Sequence, residues 1–297
     1  MKKNLISLKY FILGFFLKHT FYWNILNNVS LKAFKNSKYK IGMLEKNIID
    51  TIIKDGIAIT HIDDFEDFYN KDDLDKYYEE KKKIKISSIK KFFNYYVGGN
   101  YQTQKQKIKV NEFLFKISTS EPFLKIINTY FKLFGKLVYL ELNETDLERK
   151  SSNSEFSQNW HRDPGIRKII KVFIYFNDVD KNSGPFTYIK QSHNSGKWGK
   201  IFKQRKFGVN GCYPNPEEIS NVIPNKYFLE CTGKKGTIIF ADTTGLHRGA
   251  NQFKKKRVMS TSVFYPPADL KKSNIEIVDS KKNINDLQKD AYFSVFG

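Results

Sequence analysis

The stretch GTIIFADTTGLHRGANQFKKKRVMSTSVFY, residues 236–265, sets two apolar runs on either side of a polar connection that carries one of the chain's five histidines. Both runs are short, β-branched or aromatic, and bounded by turn formers, so they read as strands. Runs of the same kind recur upstream: LVYLELN at 137–143, IIKVFIYF at 169–176, FTYI at 186–189 and YFLEC at 227–231. Short strands with no helical period between them predict an antiparallel sandwich or jelly roll.

The front of the chain has a different period. Residues 46–62 predict a helix stopped at Gly56, then the short strand IAITHI. A second helix is marked by Ser120 as cap and Pro122 in its first turn, with Phe123, Leu124, Ile126, Ile127, Tyr130, Phe131 and Phe134 at helical spacing. The expected fold is mainly β with flanking helices. Residues 1–45 form an apolar and basic helical segment, 46–266 a domain with its jelly-roll core at about 105–266, and 267–297 a tail.

Of 297 residues, 40% are hydrophobic and 28% charged, which fits a folded globular chain and excludes a disordered one. Two cysteines, Cys212 and Cys231, are too few for a disulfide scaffold, so a reduced, cytoplasmic setting is expected. The formal charge of +20 suits phosphate-bearing partners or anionic lipid, or is simply one face of a composition rich in lysine, asparagine, isoleucine and phenylalanine alike, and both readings stand. Arginine stands at only six positions, which argues against a dedicated nucleic-acid reader. The opening MKKNLISLKYFILGFFLKHTFYW has too short an apolar run to span a bilayer. Over 4–23 it suits a helix lying on a membrane surface or one packed on the domain, and both readings stand.

The chemistry-bearing candidate is WHRDPG, residues 160–165. On an extended backbone His161 and Asp163 point to one side and Arg162 to the other. Pro164 keeps Asp163 extended, and Gly165 permits the turn that follows. Imidazole plus carboxylate is two-thirds of the two-histidine, one-carboxylate triad that leaves positions open on non-haem Fe(II). A second such pair, His61-Ile62-Asp63, ends a lone strand ahead of the β region and runs into an acidic stretch, so it is set aside. The third ligand must come from a later strand, where His193 and His247 remain. His193 reads as structural. His247 lies ten residues before Arg257, whose guanidinium suits a dicarboxylate chelating the same metal.

WHRDPG, then KVFIYFNDVDKNSGPFTYIKQSH, then GTIIFADTTGLHRG with its later arginine resemble the phytanoyl-CoA dioxygenase family of Fe(II)/2-oxoglutarate-dependent oxygenases. The resemblance implies a double-stranded β-helix, a cupin-like jelly roll. It implies His161, Asp163 and His247 as iron ligands, Arg257 on the distal carboxylate of 2-oxoglutarate, and Gln158 lining the co-substrate's site. The chain departs from the family at Gln191, where glycine often precedes the Ser-His pair. The implied reaction uses Fe(II), 2-oxoglutarate and O2, releases succinate and CO2, and hydroxylates an aliphatic C–H bond. Retention of Asp163 favours hydroxylation over halogenation, because the related halogenases lack that carboxylate.

The substrate is expected to be a small molecule or of acyl or lipid type, and an anionic one would suit the lysines. Segments 143–156 and 194–218, the latter with Trp198, Phe202, Arg205 and Phe207, are expected to frame the entrance. Two rivals stay open. One is a basic membrane- or nucleic-acid-binding protein with a vestigial metal site. The other is a jelly-roll enzyme of another metal, since the triad also suits Zn(II).

Overall fold

The structure, a computed structural model, describes residues 16, 19–37, 39–81, 106–109, 111–144, 158–163, 167–202, 213–249, 254–269, 273 and 275–277. A five-stranded antiparallel sheet is its centre. The strands are β1 (Ile57–His61), β3 (Lys136–Glu144), β4 (Ile170–Tyr175), β7 (Thr237–Asp242) and β9 (Val258–Tyr265), in the order β1-β7-β4-β9-β3. A second sheet of three short antiparallel strands has the order β6-β5-β8, from Phe228–Glu230, Thr187–Ile189 and His247–Arg248. Two further strands, β2 (Gln106–Ile108) and β10 (Ile275–Ile277), pair in parallel.

The apolar runs are continuous rather than alternating because the large sheet is covered on both faces. Ile238 and Phe240 of β7, with Val172 and Ile174 of β4, face two helices, Met43–Asp55 and Glu121–Phe131. Their odd-numbered neighbours Ile239, Ala241, Phe173 and Tyr175 turn the other way and meet Phe186 and Tyr188 of the small sheet. Each fully buried side chain of this size contributes about 1.5–3 kcal/mol.

The helix Met43–Asp55 ends at Gly56, whose φ of 79° lies in the left-handed region that glycine enters without strain. The helix Glu121–Phe131 follows Ser120, but the Ser120 hydroxyl donates back to the Ile117 carbonyl instead of capping. Residues 57–61, read as a lone strand ahead of the β region, are instead the edge strand of the large sheet, paired with β7. Their partner lies about 180 residues downstream, a separation that no local pattern reveals.

Candidate metal centre

The centre is built by two backbone segments that run antiparallel. His161 and His247 form a bridge, each N–H donating to the other's carbonyl at 3.0 Å. Directly paired residues put their side chains on one face, and the two rings lie 4.2 Å apart between centroids. Asp163 N–H donates to the Thr243 carbonyl at 2.9 Å, which holds the carboxylate in the same register.

The turn before His247 is held from three sides. Asp242 is buried and accepts from the Thr244 N–H at 3.0 Å, the Thr244 hydroxyl at 2.7 Å and the Tyr130 hydroxyl at 2.5 Å. The Leu246 N–H donates to Ser192 Oγ at 2.7 Å. Gly245 passes so close to Tyr188 that a Cβ there would fall 2.0 Å from the phenol oxygen, so no other residue fits without a shift.

Between His161 and Asp163, Arg162 points away from them and is 4% exposed. Its guanidinium donates to the carbonyls of Thr244 (2.6 Å), Ile201 (2.9 Å), Trp198 (3.1 Å), Phe202 (3.1 Å) and Ser192. One buried cation therefore ties the ligand segment to the 192–202 loop and to the turn before His247. Trp198 and Phe202, expected at the entrance, pack against Trp160, Ile189 and Leu246 in a small core behind the centre. Arg205 and Phe207, like Pro164, Gly165, Cys212 and residues 145–156, lie outside the described residues.

The three side chains converge. One ligand atom from each of His161, Asp163 and His247 lies within 4.8 Å of the others, and no other metal-capable group of three occurs among the described residues. His161 Nε2 is 3.8 Å, and His247 Nε2 3.6 Å, from an Asp163 oxygen. Each ring donates its Nδ1–H to a backbone carbonyl, His161 to Asn159 at 2.8 Å and His247 to Gly245 at 2.9 Å. That leaves both Nε2 lone pairs facing the carboxylate, the tautomer a metal requires. His247 Nε2 is buried without a hydrogen-bond partner, the orphaned atom expected of a ligand awaiting its ion.

Electrostatics agree. Burial depresses both histidines, which keeps them neutral and able to coordinate. For Asp163 burial works upward, but Lys171, His247 and His161 outweigh it and hold the carboxyl below its ordinary range. Lys171 is the residue sequence reasoning missed. It lies on β4 on the face that also carries Phe173 and Tyr175, and its Nζ is 2.6 Å from Asp163 Oδ2. The signal was present, since a lysine inside IIKVFIYF is out of place in a strand buried on both faces. Glu141, on β3 beyond the intervening β9, is also under the charge of Lys171. Burial raises it, and the Tyr139 hydroxyl donates to it at 2.5 Å. Tyr213, unremarked in the sequence, stacks 5.8 Å from the His161 ring and is exposed.

The remaining candidates are placed as follows. Arg257 immediately precedes β9 and donates to the Gly184 carbonyl. Two residues before Met259, which meets the small sheet, it shares that inward phase. Gln158 is half-buried at the turn leading into His161. His193 is not in the cluster, since its Nε2 is 3.2 Å from the Ile53 carbonyl. Arg248 lies over the Trp160 ring at 4.7 Å.

No family model matches the sequence, and no curated protein does. Solved structures do match the fold. One is SnoN, described as a non-haem α-ketoglutarate-dependent epimerase from nogalamycin biosynthesis. It is 13% identical, with a TM-score of 0.50 over 75% of this chain and 84% of that one. A second structure of SnoN, with Fe3+, α-ketoglutarate and nogalamycin RO, is 10% identical, with a TM-score of 0.54 over 82% of this chain and 92% of that one. At such identity the likeness bears on the fold: this chain is a mainly β jelly roll with flanking helices, of the kind used by those enzymes.

Proposed function

We propose that this chain is an Fe(II)/2-oxoglutarate-dependent dioxygenase that hydroxylates an aliphatic C–H bond of a small molecule. The observation that carries the reading is the convergence of His161 Nε2, His247 Nε2 and the Asp163 carboxylate, with both Nδ1–H groups turned onto backbone carbonyls. Two imidazoles and one carboxylate are the donor set of non-haem Fe(II) oxygenases, which leaves room for co-substrate and O2. Bound iron and 2-oxoglutarate supply the oxidising power, with succinate and CO2 as by-products.

The chain's own residues do the placing. His161 and His247 coordinate as neutral donors, and Asp163 supplies the negative charge. Arg257 takes the distal carboxylate of 2-oxoglutarate in its planar fork, and Gln158 lines the co-substrate. SnoN, with the same fold, is described with iron and α-ketoglutarate, which supports this reading. Its reaction is named an epimerisation, and retention of product stereochemistry with a new hydroxyl would separate the reaction proposed here from that one.

Lys171 adds a second cation. It pairs in register with Val263, six residues beyond Arg257, so the backbone positions of the two residues lie roughly 20 Å apart along the strand, while the Lys171 ammonium reaches the Asp163 carboxylate. This favours a substrate with an anionic group, held near the metal on the side away from Arg257. A cytoplasmic setting belongs to the same reading.

The test is anaerobic addition of Fe(II), then 2-oxoglutarate, to the purified protein. A visible charge-transfer band, followed by succinate when O2 is admitted, is the expected result. A folded protein that binds iron and gives no band would remove 2-oxoglutarate from the reading.

A further inference from the structure

Two short helices, Thr20–Leu26 and Asn28–Asn36, are built inside out. Only Trp23, Asn27 and Ser30 are buried between residues 19 and 30, and two of these three are polar. They are fixed by tertiary bonds. Ser30 Oγ donates to the Phe134 carbonyl at 2.9 Å, Asn27 Oδ1 accepts from the Ala268 N–H at 3.0 Å, and the Arg167 guanidinium covers the Trp23 ring at 4.9 Å. The outward face carries Phe21, Tyr22, Ile25, Leu26 and Val29, spaced to share one side of a helix.

Phe21 is 69% exposed, Ile25 55% and Val29 47%. Six of the twelve large apolar side chains exposed among the described residues lie between Phe16 and Val29. A contiguous apolar face of this kind is rare on a monomer that has no use for it.

Charge indicates what covers it. The first 44 residues hold eight lysines and no aspartate or glutamate, and Lys32, Lys35 and Lys40, which follow the apolar face in sequence, are exposed. A second copy of the chain would bring these like charges together, whereas an anionic surface would neutralise them. Apolar and aromatic side chains flanked by lysine suit the boundary between lipid headgroups and acyl chains. No helix among the described residues is long and apolar enough to cross a membrane, so the contact lies along the surface.

We propose that the face formed by Phe21, Tyr22, Ile25, Leu26 and Val29 docks this protein on an anionic lipid membrane. The proposal is independent of the metal centre, and its test needs no iron. The full chain is sedimented with vesicles of phosphatidylcholine alone and of phosphatidylcholine with phosphatidylglycerol, at low and high salt. It should pellet with the phosphatidylglycerol vesicles and little with the others. The combined variant Phe21→Ser, Ile25→Ser, Val29→Ser removes exposed groups only and should lower binding about tenfold or more. If that variant misfolds by circular dichroism, Phe21→Ser alone should still weaken binding.

Absence of binding to the phosphatidylglycerol vesicles would overturn the proposal, and so would equal binding by the variants, which would leave lysine attraction alone. A dimer in sedimentation velocity that the variants abolish, without vesicle binding, would assign the face to a second copy. Vesicle binding seen only after removal of residues 1–15 would assign its cover to the chain's own N-terminus. Either result rejects a lipid-facing surface in the full chain.

Discussion

His61-Ile62-Asp63 and His161-Arg162-Asp163 are the same motif at two places in one chain, and their imidazoles present opposite faces. At the first, Nε2 donates to the Lys235 carbonyl at 2.9 Å while Nδ1 accepts the Asp63 N–H at 3.2 Å. Both ring nitrogens are engaged, and His61 forms with Asp64, not with the Asp63 carboxylate, the capping box of a single turn of 3-10 helix, Ile62–Phe65. Asp63 is exposed and ion-paired with Lys71 at 2.6 Å. At the second, Nδ1–H is the donor and Nε2 is left bare toward a buried carboxylate and another bare Nε2. The difference lies in what the backbone offers each ring. A carbonyl opposite Nε2 makes a cap, and a carbonyl opposite Nδ1 makes a ligand.

The sharpest way to break this contrast is to remove ligands from each side. His247→Ala or His161→Ala should weaken Fe(II) binding by more than about 100-fold, measured anaerobically by equilibrium dialysis, whereas His61→Ala should leave it unchanged. Iron loss in the His61 variant, with fold intact, would reverse the assignment. Arg162→Met should lower stability by about 3 kcal/mol or more in a denaturant melt, because buried carbonyls in two loops lose their donor. A melt near that of the unaltered protein would mean that water replaces the guanidinium.

Acidification acts next. Burial holds His161, His193 and His247 below the ordinary histidine value, so the unfolded chain takes up protons first. Stability of the metal-free protein should therefore be full above about pH 6.5 and fall as pH drops below it. A thermal midpoint unchanged from neutral pH to pH 5 would contradict the neutral tautomers. Lys171→Met should tighten divalent-metal binding on the order of tenfold, since the ammonium competes for Asp163 Oδ2. Weaker binding would make Lys171 a support of the site. Smallest is His61→Ala on stability, about 1 kcal/mol for a lost cap.

Much of the β layer was legible residue by residue. The runs at 137–143, 169–176, 186–189, 227–231, 236–242 and 257–265 each coincide with a strand of the two sheets to within a residue or so at either end. Two-sided burial demands continuous β-branched and aromatic residues, a pattern that survives in the bare sequence. Strand β8 was not legible, since its two residues, His247 and Arg248, gain their partners from β5 and from His161. Nor was the edge position of β1. The two helices within 20–36 fall inside the helical segment expected over 1–45, but their facing was not legible: the buried seam is polar and the exposed face apolar.

The sequence by itself determined the longer strands of the two sheets, the helical front, the His-x-Asp candidate and the later histidine and arginine, because local period and donor chemistry are written in neighbouring residues. Only the tertiary structure decided which His-x-Asp pair meets a second histidine, which ring nitrogen is free, and that Lys171 stands beside Asp163 while Arg162 turns into the loops behind. Some of the deciding partners are near in sequence, as Asn159 is to His161 and Lys171 to Asp163, but others lie 30 to 174 residues away, where sheet register and not any local pattern sets the position.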